Sequence, residues 1–151
     1  MKAAGALLTL ALAIRALPGM AEPVLTYDVT GARSPDTPAL LSIEDDGAVT
    51  MRGPGGQRQT AHLEPDALEA LRDTITDLIA PLAASDQAAP PNQAVGAGFS
   101  RIRVKSEDAE LAAELRESAF TAMTNPANEP IMAFREAEII LIETIEALRG
   151  H

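Results

Sequence analysis

A chain of 151 residues with 46% apolar side chains can bury a real core, which argues against disorder as its general state. It contains no cysteine, and this excludes a disulfide framework, thiol catalysis, thiolate metal ligation and a cysteine-linked lipid anchor. A net charge of −10 repels phosphate backbones and anionic membrane surfaces, so nucleic acid is not an expected partner.

The first residues carry the marks of an export signal. Lys2 precedes the apolar run AAGALLTLALAI (Ala3 to Ile14), and LPGMA places Gly19 and Ala21 where a signal peptidase reads small side chains. The run falls short of the roughly 20 apolar residues that span a bilayer, and Arg15 interrupts it. Residues 1–21 therefore read as a cleaved signal, with an uncleaved anchor or a buried first helix as the other options. Cleavage after Ala21 takes 21 of the 151 residues and leaves a single domain of 130, residues 22–151. It removes Lys2 and Arg15, so that 10 basic side chains face 22 acidic ones and the net charge becomes −12. The expected destination is the periplasm or the medium, with no stable membrane insertion after cleavage.

In chain order, VLTYDVTG alternates Leu25, Tyr27 and Val29 with polar residues, the period of a half-buried strand. GARSPDTP (Gly31 to Pro38) has loop composition. LLSIE and AVTMR alternate again, and the DDG between them predicts a hairpin, because glycine supplies the left-handed backbone that the turn needs. GPGG makes a further turn and QRQTAHL a weaker fourth strand. Pro65 and Asp66 then open a helix whose apolar stripe is Leu68, Leu71, Ile75, Leu78 and Ile79, with Leu63 and Leu68 placed as a hydrophobic staple and Pro81 as its end. Residues 80–98 are rich in Ala and Pro and read as a long loop. FSRIRVK is a fifth strand. SEDAELAAELRESAFTAM reads as a helix capped by Ser106, with Leu111, Leu115, Ala119 and Met123 on one stripe. Ile131 to Arg149 reads as a last helix with Phe134, Leu141, Ile145 and Leu148 inward, although EIILIE within it also fits a buried strand. Tyr27, Phe99, Phe120 and Phe134 are the expected large pieces of the core. The order of elements predicts an α+β fold with an antiparallel sheet of four to five strands: a meander, a helix, then a strand and two helices.

The acidic stretch Glu44, Asp45, Asp46 is the first chemical candidate. An EF-hand loop built on Gly47 requires a glutamate at position 53, which is Gly53, and adjacent carboxylates at a hairpin tip have nothing to separate their pKa values. A turn is the better reading. His62, Glu64 and Asp66 match no zinc-ligand frame, and Pro65 divides them. No Gly-x-Ser-x-Gly elbow surrounds any serine. GPGG lacks the Lys-Ser/Thr ending of a phosphate loop, and GAG lacks a dinucleotide fingerprint. No catalytic set, metal site or cofactor is thus expected. Arg101, Arg103 and Lys105 form a basic row on one side of the fifth strand, which can receive an anion or pair with the chain's own glutamates.

The residues TYDVTGA, LLSIEDDGAV and LEPDALEALRD resemble the build of emfourin-type protease inhibitors and similar small secreted bacterial envelope proteins: strand, glycine loop, DG hairpin, strand, then a Leu-x-Pro helix. The resemblance covers the half from Val24 to Ile79 and implies an exported protein that binds a protease. Ala32 and Arg33 stand where the inhibitors carry a Gly-Gly-Phe type loop, and no functional residue transfers.

Two functions follow as expectations. The first is a non-enzymatic, exported protein-binding domain with loops Gly31 to Pro38 and Ala80 to Gly98 as contact segments. The second is a small periplasmic hydrolase or ligand-binding enzyme with a site assembled from distant residues, including His62 beside a serine or carboxylate.

Overall fold

The computed structural model describes residues 22–30, 38–85 and 98–150. The leader 1–21, most of the 31–38 loop and most of the 80–98 segment lie outside them. The fold is α+β: one six-stranded antiparallel sheet in the order β4-β3-β2-β1-β5-β6, with helices packed on one face. The strands are β1 (Leu25–Thr30), β2 (Leu41–Ile43), β3 (Ala48–Arg52), β4 (Arg58–His62), β5 (Phe99–Lys105) and β6 (Glu110–Arg116). The helices are α1 (Pro65–Ala84), α2 (Ser118–Thr124) and α3 (Glu129–Arg149).

Period-two patterning aligns into rows that cross the sheet. One row reads Ala61, Val49, Ile43, Leu25, Val104, Leu111, and the next reads Gln59, Met51, Leu41, Tyr27, Ile102, Ala113. Helices α1 and α3 cover these rows with Leu68, Ile75, Ile79, Ile131, Phe134, Leu141 and Ile145, all buried. A slip of one residue in any strand would turn its part of a row to water, so burial of one face fixes the register. On the other face Arg101 stands opposite Asp28 and Glu114, and the rest of the basic row lies beside it.

Three expectations are corrected. Helix α1 does not end at Pro81 but runs to Ala84, where the Ser85 hydroxyl and amide both donate to the Leu82 carbonyl. A proline loses its amide bond and crowds the carbonyl four residues earlier, and both effects are tolerated here because Pro81 falls in the last turn on an exposed side. Buried Leu82 continues the Ile75 and Ile79 stripe beyond it. The segment expected as a helix from Ser106 forms a hairpin instead: Ser106 closes the turn through its amide and hydroxyl, both donating to the Ala109 carbonyl, and Glu110–Arg116 is a sixth strand. Leu111 and Leu115, four residues apart, satisfy both the helical and the strand period. The free edge of β5 decides, since a seven-residue ladder satisfies its backbone and buries Ala113 and Leu115. The third correction concerns Phe120 and Phe99. Phe120 is not a core piece but 49% exposed, and Met123 of the same expected stripe is 70% exposed. Phe99 lies by register on the sheet face of Arg101, with the Arg116 guanidinium 4.5 Å from its ring centre. Helix α2 is only seven residues long and buries Ser118, Thr121 and Ala122, which turns Phe120 and Met123 outward. The EIILIE ambiguity resolves to helix, with the Asn128 side chain capping α3 by accepting from the Ile131 amide.

The DDG hairpin forms as expected, with Gly47 at φ +89. The Asp46 carboxylate accepts from the Ala48 amide at 2.9 Å. The Gly47 carbonyl accepts from the Leu63 amide, and a Cβ on Gly47 would lie 2.2 Å from the Leu63 carbonyl oxygen. Backbone angle and space both demand glycine here. Gly47→Ala is expected to cost about 3 kcal/mol, read as a lowered denaturation midpoint with an unchanged m-value.

Candidate functional site

The third row of the sheet breaks the apolar pattern. It reads Val29, Ser100, Leu115, and it lies where β6 hands the chain to α2. Glu117 makes that corner in the left-handed region (φ 42, ψ 59), its amide donating to the Gly98 carbonyl at 2.9 Å. The Thr121 hydroxyl donates to the Arg116 carbonyl at 2.7 Å and ties α2 back to the strand end. This brings Ser118 over Ser100, their hydroxyl oxygens 3.2 Å apart and both residues buried.

Helix α3 supplies the other half. Glu138 occupies the inward stripe between Phe134 and Leu141 and is 0% exposed. Its carboxylate accepts from the Tyr27 hydroxyl at 3.0 Å through Oε1 and from Arg135 Nη1 at 3.0 Å through Oε2. The Arg135 pair is an i,i+3 contact on the same helix, with the guanidinium partly exposed and the carboxylate buried. Burial raises the Tyr27 phenol above its ordinary value, and the neighbouring Glu138 charge raises it further. Arg135 and the Ser100 hydroxyl oppose this with smaller effects. Together these residues floor a cleft of about 400 Å³, with Val29, Ala119 and Phe120 as apolar walls and Gly98 and Glu117 at its edge.

The residues singled out from sequence fall elsewhere. Asp45 and Asp46 are exposed at the hairpin tip. His62 is exposed on β4 and, by register, projects from the sheet face opposite to Ser100. Glu64 and Asp66 are exposed at the start of α1, and among the described residues no three His, Cys, Asp or Glu side chains gather as a metal site. The basic row is paired within the chain: Arg101 with Glu114 at 2.7 Å, Arg103 with Glu110 at 3.0 Å, and Lys105 with Glu22. GPGG forms a turn in which the Gly53 amide donates to the Gln57 carbonyl. The cleft itself was not foreseen. One signal for it was present: a glutamate within the apolar stripe Phe134, Leu141, Ile145 of a helix that buries that stripe.

Comparison with protein-family models, curated proteins and solved structures finds no match to this chain. The cleft is therefore read from its own chemistry. It holds a buried carboxylate paired with a partly exposed guanidinium, a phenol kept neutral, and two buried hydroxyls beneath apolar walls.

Two outcomes test this description. Arg135→Met leaves the Glu138 carboxylate buried and uncompensated and should cost about 3–5 kcal/mol at neutral pH. Adding Glu138→Gln, which keeps an acceptor for Tyr27, should recover most of the loss in denaturant melts. The raised Tyr27 value means that the unfolded chain loses the phenolic proton first. Stability is therefore unaffected by this group below about pH 10 and declines as pH rises above it. Tyr27 is the chain's one tyrosine, so tyrosinate absorbance should appear only with alkaline unfolding, and Tyr27→Phe should flatten that part of the stability profile.

Proposed function

We propose that this chain is an exported, non-enzymatic protein-binding domain of the bacterial envelope, of the protease-inhibitor type, and that its partner docks on the outer side of α2 and α3. The observation that carries the reading is where the exposed apolar mass lies. Among the described residues, the large exposed hydrophobics are Phe120, Met123, Met132, Ile139 and Ile142, all on these two neighbouring helices. Met132, Ile139 and Ile142 follow at i, i+7 and i+10, one side of the helix. Single exposed apolar residues are ordinary, but a group confined to two neighbouring helices, with Phe120 also lining the cleft, supports a contact surface. The sequence features of the leader support export, and among the described residues no helix is long and apolar enough to cross a membrane.

The export part predicts a mature protein beginning at Glu22 in the envelope fraction, read by intact mass. The docking part is tested by crosslinking the mature protein in envelope extracts. A partner held by the native chain and lost by Met132→Ser/Ile139→Glu supports it. The variant should keep its stability within about 0.5 kcal/mol, as surface changes do. A partner retained equally by both chains, or absent after crosslinking, removes the reading. An assay against an extracellular metalloprotease settles the inhibitor type.

A further inference from the structure

The cleft above Tyr27 and Glu138 has the size of a site for one small ligand or one inserted side chain, about 400 Å³. Its charged lining is Glu117, Arg135 and Glu138. Arg135 and Glu138 neutralise one another, which leaves the exposed Glu117 carboxylate as the uncompensated charge among the described residues that line it. We infer that this cleft binds a cation carried on an apolar stem, an alkylammonium or alkylguanidinium group. It arrives either as a lysine or arginine side chain of the docked partner or as a free amine.

The opposite sign of ligand is disfavoured by the floor of the cleft. An anion that engages Arg135 competes with Glu138, whose carboxylate is fully buried and has Tyr27 and Arg135 as its hydrogen-bond partners. Drawing the guanidinium away would orphan a buried charge, the most costly outcome available there. A cation leaves that pair intact. Its stem covers Val29 and Phe120, its charge meets Glu117, and the half-exposed Phe120 ring offers a cation–π face. The chain's net charge of −10 draws cations to every approach. The partner-borne form of this inference rests on the docking face proposed above; the free-amine form does not.

The chain has one tyrosine and no tryptophan, so the fluorescence of Tyr27 at the cleft floor reports on occupancy. The full mature chain is titrated with butylguanidinium and butylammonium, with butyrate as the anionic control. Saturable changes with the cations and none with butyrate are expected, and Glu117→Gln should weaken cation binding about fivefold at low salt. If Glu117→Gln fails to fold, Phe120→Leu, expected to weaken binding by loss of the ring, takes its place. An alanine-rich peptide bearing one arginine separates the sources: tighter binding than butylguanidinium indicates a partner's side chain, and equal or weaker binding a free cation. Preference for butyrate, no saturable response to either cation, or unaltered affinity in the variant overturns the inference. Cation binding without a captured partner defeats only the docking face. A partner lost by Met132→Ser/Ile139→Glu, from a chain whose cleft ignores cations, defeats only the present inference.

Discussion

A fully buried carboxylate with two hydrogen-bond donors sets the terms for the part of this molecule around the cleft. Glu138 enters the core on a helix that must bury its stripe, so its charge is tolerable only where donors converge. Tyr27 reaches it from the central strand and Arg135 from one turn earlier on α3. The contact therefore fixes the rotation of α3 over β1 as well as its position. It also decides what the neighbouring cleft can hold, because the guanidinium is committed and the phenol is kept protonated.

The sheet makes that arrangement possible by being dry on one side only. Rows of apolar residues from five or six strands support α1 and α3, while the opposite face carries cross-strand ion pairs on exposed side chains. Such pairs in water contribute little to stability. Their role is to satisfy the basic row locally and to keep that face wet. The helical side differs: there the apolar pattern ends in Ser100, and α2 is too short to bury all its large residues. The exposed Phe120 and Met123 and the ridge of α3 are the consequence.

Much of the fold was legible along the chain. Alternation located β1 to β5, Asp-Gly located the first hairpin, and the Pro65 opening with its 3.6-residue stripe located α1, because these signals are local and the tertiary structure agrees with them. Where two periods coincide the sequence was ambiguous. Leu111 and Leu115 fit a helix or a strand, and Glu-Leu-Ala-Ala-Glu-Leu-Arg favours a helix in isolation. The unpaired edge of β5 overrode that preference. The site was less legible still: its polar residues lie at positions 27, 100, 118, 135 and 138, and only their meeting gives them a chemistry.

The sequence alone determined the charge, the lack of thiol chemistry, the amphipathic face of most elements and the turn at Gly47, since each follows from residue type and nearest neighbours. The tertiary structure alone decided that Ser118 lies over Ser100, that Glu138 is buried against Tyr27 instead of solvated, and that Phe120 faces water. Those outcomes depend on how a left-handed corner at Glu117 and the packing of α3 on a sheet bring distant positions together, and neither distance nor burial is encoded in local periodicity.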